Sequence, residues 1–455
     1  MGVFDTKILL GGKDNDMTRG SILPQLLTYA VTLSIGMLFQ QMYNTVDTIV
    51  VGRYVGKEAL AAVGSTASII NMLVGLGSGL ATGASVVVSQ CYGAHDHEKL
   101  SKAVHTTILG AFFLSLMATG VGLAIVDPML HLMKTPSDVM ASSRLYLRIF
   151  FSGISGLFVY NIGSGILRAV GDARRPLYFL CFSAVLNICF DLLFVVTFRM
   201  GVAGVAVATI LSQAISAILV LVVLTRDPGP YAIHWDRLRL DGKMLGNILD
   251  IGLPSAIQQA ITSFSNVFVQ SYINFFGSSC MAGWASYNKI DIFILIPLQA
   301  ISMATTTFVG QNFGAGELDR ARKGTKQSLN LSLVITAVLV AVVTALSPFL
   351  CRLITPDEEV VAYGVHFLRM IAPFYIICCF NQIFAGALRG IGKTKVPTLV
   401  MLLSFVAFRQ AYLYVVKLLG NNFHLVSIAY PMGWVLCSVL MILLFHNSIL
   451  GSKKR

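Results

Sequence analysis

The sequence predicts an all-α integral membrane protein whose twelve transmembrane helices form two six-helix parallel repeats. Three observations carry that prediction. Of 455 residues, 56% are apolar and only 12% are charged, with a mean hydropathy of +0.76. An ordinary soluble domain carries about 25% charged residues. The charges sit in short clusters between long apolar runs, and about 20 apolar residues suffice for a helix to cross a bilayer. Finally, the two halves of the chain repeat each other at a fixed offset. A disordered chain is excluded by this composition.

The apolar runs fall at roughly 22–51, 59–90, 103–126, 146–168, 176–198 and 201–225, then at 246–276, 284–312, 327–347, 363–389, 396–418 and 425–446. Residues 1–21 read as a polar cytoplasmic tail, 22–225 as one six-helix lobe and 246–447 as a second, with 448–455 a basic cytoplasmic tail. Between the lobes, 226–245 is the longest polar connection and holds Pro228, Gly229 and Pro230, so it reads as a cytoplasmic linker.

Lys and Arg bias sets orientation. With both termini inside, inner segments hold 22 of these residues and outer segments nine. Loop topology therefore accounts for the net charge of +12, and no nucleic acid is needed to explain it. The eight cysteines form no C-x-x-C pair and read as small buried hydrophobes.

A shift of 221 aligns the halves. Ser89-Gln90-Cys91-Tyr92-Gly93-Ala94 meets Gly310-Gln311-Asn312-Phe313-Gly314-Ala315, and Leu167-Arg168-Ala169-Val170-Gly171 meets Leu388-Arg389-Gly390-Ile391-Gly392. Six helices is an even number, so both repeats enter from the same side and are parallel about an axis along the membrane normal. Two such bundles leave a cleft, which in transporters is the substrate path. Gly75, Gly79 and Gly83 recur every four residues on the second helix, with Ala300 and Ala304 at matching places on the eighth. This spacing lets helix backbones approach closely. Pro254, Pro297, Pro373 and Pro431 interrupt apolar runs and remove backbone hydrogen bonds.

Function is to be sought in the polar groups that hydrocarbon rejects. Asp47 lies about 9 Å below the outer end of its helix, and Asp191 and Thr209 lie about 12 Å below theirs, at about 1.5 Å per residue. Asn187 is one turn from Asp191 on the same face. Two carboxylates, a carboxamide and a hydroxyl at one level suit a small hard cation, sodium or a proton. The alternative is that Asp47 and Asp191 only bridge helices through buried hydrogen bonds.

The second half replaces Asn187 and Asp191 by Phe408 and Tyr412. It offers Gln258, Gln259, Asn266, Gln270, Asn274, Asn288, Lys289, Asp291 and Arg409 instead. Asn161, Gln258, Gln259, Asn288, Asp291 and Arg409 are candidate substrate contacts, with Asp291 the expected partner of Arg409. His95 and His97 sit in a basic inner loop and read as solvated.

Several motifs resemble the multidrug and toxic compound extrusion (MATE) family, most closely its DinF-like bacterial branch. They are Gln40-Gln41-Met42-Tyr43-Asn44-Thr45-Val46-Asp47-Thr48, the Gln90/Gly93 and Gln311/Gly314 segments, the paired Leu-Arg-x-x-Gly motifs and Asn187-x-x-x-Asp191. The resemblance implies a cation-coupled antiporter, a secondary transporter and not an enzyme, in a bacterial cell membrane. It implies export of amphipathic, often cationic, organic compounds and a cation site at Asp47, Asn187, Asp191 and Thr209. The expected partners are a small organic solute and the bilayer, with no cofactor, no metal beyond the coupling ion, and a monomeric chain. Two positions depart from many relatives: Thr32 and Leu192 stand where those carry proline. A lipid-precursor flippase, an ion channel and an intramembrane enzyme are the alternatives. Twelve helices argue against the flippase. No Gly-x-Gly-Asp box supports an intramembrane protease, and no P-loop supports ATP-driven pumping.

Overall fold

The computed structural model describes residues 16–133 and 135–451. The tails read from the sequence thus lie outside the described residues over 1–15 and 452–455. The described residues are mostly helical: α1 Ile22–Val50, α2 Lys57–Gly93, α3 His97–Leu132, α4 Ser137–Ser152, α5 Ile154–Ala169, α6 Arg174–Asp191 and α7 Val202–Arg226. After the connection come α8 Gly242–Asn274, α9 Ser278–Gly314, α10 Leu318–Ile354, α11 Glu358–Ile371, α12 Tyr375–Gly390, α13 Lys395–Leu402, α14 Arg409–Leu418, α15 Phe423–Ser427 and α16 Ala429–His446. No strand occurs among the described residues.

Ten helical stretches are long and apolar enough to cross a membrane, and the bent pair α4 and α5 makes an eleventh. With α8, whose 33 residues include Gln258, Gln259, Asn266, Gln270 and Asn274, these give the twelve rods expected. The helices outrun the apolar segments where polar caps extend them. Asp96 accepts from Lys99 N at 3.0 Å and starts α3 at His97, six residues before the apolar run.

The repeat read from the sequence reappears in the backbone. Gly56 (φ 111°) and Gly277 (φ 91°), 221 positions apart, turn the chain into α2 and α9. Gly171 (φ 89°) and Gly392 (φ 80°), also 221 apart, follow α5 and α12. The fourth helix of each half is broken at the matching place. Gly153 separates α4 from α5 at a bend of 47°, and the 3-10 turn Ala372–Phe374 separates α11 from α12. The causes differ. A Cβ at Gly153 would lie 2.5 Å from Ile210 Cβ on α7. In the second half Pro373 withholds a backbone donor. The remaining prolines interrupt less than expected: α8 and α9 run through Pro254 and Pro297, and Pro431 occupies the first turn of α16.

Two compact units emerge, one comprising Ile35–Ala256 and the other Met17–Ser34 with Ile257 onward. Both α1 and α8 therefore pass from one unit into the other. Within the first unit, Gly79 and Gly83 on α2 let α8 approach. A Cβ at Gly79 would lie 2.3 Å from the Ala256 backbone, and one at Gly83 would lie 2.4 Å from Ile248 O.

The connection after α7 docks in this unit. Tyr231, Ala232 and Ile233 are buried, and His105 Nε2 accepts from His234 N at 3.0 Å. Thr106 on α3 accepts from Asp241 N at 3.1 Å. Arg175 is buried between Asp172 and Asp227 and donates to the Tyr231 hydroxyl at 2.9 Å. In the second unit the segment before α1 is held in the equivalent way. Met17 N donates to Gln311 Oε1 at 2.9 Å, and Arg320 donates to the carbonyls of Met17, Arg19 and Gly20 at 3.1, 2.9 and 2.8 Å. Met17 is the 221-position counterpart of Leu238.

Candidate functional site

In the first unit, the Asp47 carboxyl on α1 and the Asp191 carboxyl on α6 are neighbours close enough to interact electrostatically. Asp191 is wholly buried, and neither of its oxygens has a hydrogen-bond partner. Asn187 is buried one turn away, and neither polar atom of its side chain has a partner. Buried polar groups are nearly always satisfied, so four orphaned atoms on adjacent turns mark a place prepared for something else. Thr209 turns its hydroxyl to the Val205 carbonyl of its own helix at 3.0 Å, which leaves only its oxygen lone pairs to offer.

Sequence reasoning missed three members of this cluster. Tyr43 lies one turn before Asp47, with Asp47 and Gln213 as electrostatic neighbours. Gln213 is one turn past Thr209 on α7. Tyr146 on α4 stands in the field of both carboxyls. Four-residue spacing from Asp47 and from Thr209 could have found Tyr43 and Gln213. No local signal pointed to Tyr146, which a different helix supplies.

Local backbone irregularity aims these groups. Immediately after Asp191 the chain forms a π-helical turn over Leu192–Thr197, and shortly after Asp47 another covers Val51–Val55. Such insertions shift the register of a helix and recur at functional sites. Neither departure from the family's prolines breaks a helix. Thr32 Oγ1 donates to Thr28 O at 2.8 Å within an uninterrupted α1, and Leu192 opens the π turn. Val50, Val51, Val195, Val202, Val205 and Ala206 close over this end of the unit as an apolar cluster that includes Tyr146.

The α1 side of the same unit is wet in character. Gln40, Gln41, Asn44, Thr45 and Thr48 are exposed. On α8, Gln259, Ser263, Asn266 and Asn274 are exposed along one face at three- and four-residue spacing or its multiples. Hydrocarbon would reject both faces, so each has to border water. Among the other candidates, Asn161 donates to Leu157 O within its own helix at 3.0 Å. Gln258 donates to Met401 Sδ at 2.9 Å, and Asn288 is exposed.

The expected pairing of Asp291 with Arg409 does not form. Tyr375 donates to Asp291 and lies 3.0 Å from the Tyr287 hydroxyl. Arg409 Nη2 instead donates to Ser265 Oγ and Asn266 Oδ1, each at 2.8 Å, and its guanidinium stacks on Tyr430 at 4.5 Å. Two tyrosines engage the acid, whereas the cation is held through Nη2 by neutral Ser265 and Asn266 on α8. All eight cysteines are free, and no group of three or more metal-ligating side chains occurs among the described residues. His95 and His97 are exposed.

A multi-pass helical membrane protein of two related halves, with buried unpaired acids in the first, belongs to the class of membrane transporters. The MatE family matches residues 33–193 and 254–415, one segment in each half, and the chain belongs to that family. It is 30% identical over 405 residues to the "Probable multidrug resistance protein YpnP" of Bacillus subtilis, covering 88% of this chain and 89% of that one. It is 23% identical over 372 residues to the "FAD transporter" of Shewanella oneidensis, covering 80% and 81%. In fold it is similar to a MOP superfamily transporter from Pyrococcus furiosus, with a TM-score of 0.91 at 24% identity over 98% of this chain and 99% of that one.

Proposed function

We propose that this protein is a secondary antiporter that exports amphipathic organic compounds in exchange for a proton or sodium ion, by alternating access of its two lobes. The membrane is the bacterial cell membrane, with both termini cytoplasmic and a single chain as the working unit. The observation that carries the proposal is the proximity of Asp47 and Asp191, with the orphaned Asn187 amide beside them. Two neighbouring carboxyls in a low dielectric disfavour double ionisation, and a proton on one of them, or a bare cation between them, relieves that repulsion. Either ion exchanges one arrangement of α1, α6 and α7 for another. Cargo and ion are then linked through two states of one molecule. A charge moved across about 100 mV is worth about 2.3 kcal/mol, enough to drive the exchange.

Names among relatives support the transport class and leave the cargo open, since they include both multidrug and FAD transporters. In proteoliposomes, dye export is followed with a proton gradient or a sodium gradient imposed alone. Export driven by one gradient in wild type and abolished in Asp191→Asn is the expected result. Steady passive conductance, or full gradient-driven export by Asp191→Asn, would overturn it.

A further inference from the structure

We infer that the second lobe holds a subsite for an anionic oxygen group of the transported compound, centred on Arg409. Arg409 is 3% exposed, and its Nε is buried without a hydrogen-bond partner. Its guanidinium contacts are the neutral Ser265, Asn266 and Tyr430, and among the described residues no carboxylate forms an ion pair with it. Asp291, the buried acid of this lobe, is engaged by tyrosines.

A buried cation that lacks a counter-charge is costly, and the cost falls when an anion joins it. The surroundings are built to hold the guanidinium in one orientation. Tyr430 covers one face, and its hydroxyl donates at 3.3 Å to the same Asn266 oxygen that Arg409 uses. Gln410 donates to Ser265 Oγ at 2.9 Å and to Ser265 O at 3.1 Å, fixing the serine. With both Nη2 protons given to Ser265 and Asn266, the Nε–H and the Nη1 group are the donors left for single, charge-assisted hydrogen bonds to a carboxylate or phosphate oxygen. Asn266, which accepts from Arg409, lies on the exposed polar face of α8.

Depth separates a solute from a lipid headgroup. Arg409 lies eight residues before Lys417, or about 12 Å below the outer end of its span, where hydrocarbon and not headgroups would surround a lipid-facing residue. In the repeat it is the counterpart, 221 positions on, of Ile188, the neighbour of Asn187, so the second half carries a cation beside the position where the first carries a carboxamide. The inference deepens the exporter reading and rests on it. It adds to the often cationic cargo that the family resemblance implies, because a compound bearing a carboxylate gains a partner here.

The test uses the full-length protein in nanodiscs and a probe pair that differs in one charge, pyrenebutyric acid and its methyl ester, with binding followed by fluorescence anisotropy. Wild type is expected to bind the acid about tenfold or more tightly than the ester. Arg409→Gln should bind both alike, with ester affinity unchanged, which also shows that the variant is folded. Arg409→Lys should keep part of the preference. Equal affinity of wild type for acid and ester, or equal loss of both in Arg409→Gln, would overturn the inference. Repeating the measurement in neutral and in phosphatidylglycerol nanodiscs separates the two sources of anion. An unchanged preference assigns the site to the solute, whereas its disappearance in anionic lipid assigns it to a headgroup and overturns the solute site. Binding is read without any gradient, so failure of export in the flux assay would sink the antiporter reading without touching this result.

Discussion

Asp47 on α1 and Asp191 on α6 approach each other just before each helix changes its winding, at Val51 and at Leu192. The two π-helical turns lie on the same side of the acids, against the apolar cluster of Val50, Val51, Val195 and Val202. On the other side of Asp47 along α1, Gln40 and Asn44 are exposed. In the proposed exchange, an ion that neutralises the pair would act beside two segments whose register is already irregular.

If the pair couples ion to cargo, each acid is needed. Asp47→Asn and Asp191→Asn should each lower gradient-driven dye export in proteoliposomes by about tenfold or more. Both variants should still reach the membrane as monodisperse protein, because an amide keeps the size and one hydrogen-bonding oxygen of the acid. Tyr43→Phe should weaken export by less, since the hydroxyl lies beside Asp47 without carrying the charge. Export equal to wild type in Asp47→Asn would remove α1 from the mechanism.

The close approach of α2 and α8 gives a stability prediction independent of transport. Gly79→Ala puts a methyl 2.3 Å from the Ala256 backbone, which cannot retreat as a side chain would. Overpacking of this kind costs about 1–3 kcal/mol, and the loss should appear as a lower thermal midpoint in detergent. Gly110→Ala on α3 is the control, because a Cβ there meets nothing within 4 Å. Its midpoint should be unchanged or slightly raised.

The architecture was legible in the sequence because lipid leaves few options: long apolar runs must be helices, and a common offset of 221 declares the repeat. The depth argument brought Asp47, Asn187 and Asp191 to one level, and the structure makes the two carboxyls neighbours. Azimuth was the missing quantity, which is why Tyr146, on a separate helix, went unseen. For the same reason Arg409 and Asp291 were paired by charge type, although tyrosines engage Asp291 and neutral groups of α8 hold Arg409. The connection at 226–245 read as a plain linker because polarity marks exposure only on average. The burial of Tyr231 and Ile233 depends on partners on α3 and α6 that no local pattern names.

The cluster on that connection is a buried charge network, and breaking it should be expensive. Arg175 is 4% exposed and bridges Asp172 and Asp227. Arg175→Met leaves two buried carboxylates facing one another, a change that costs about 3–5 kcal/mol. The variant should lose monodispersity on heating well before wild type. Arg175→Lys should recover only part of the loss, because an ammonium cannot serve two acids and the Tyr231 hydroxyl in the planar fork that arginine provides.

Tyr231 lies outside the membrane spans, and its titration gives the last prediction. Burial first, and the neighbouring Asp227 in smaller part, push its phenol well above the ordinary tyrosine range, and together they outweigh the opposing effect of Arg175. The folded protein thus holds this proton at alkaline pH where the unfolded chain, with a value of about 10, would release it. Stability contributed in this way is fully present below about pH 10 and falls as pH rises beyond it, because the native state then binds more protons than the unfolded one. Tyr231→Phe has no proton to lose. Its thermal midpoint should lie below wild type at neutral pH, through the missing acceptor for Arg175 at 2.9 Å. The gap should narrow as pH is raised above about 10. A gap that stays constant across that range would show that the Tyr231 phenol titrates alike in the folded and unfolded chain.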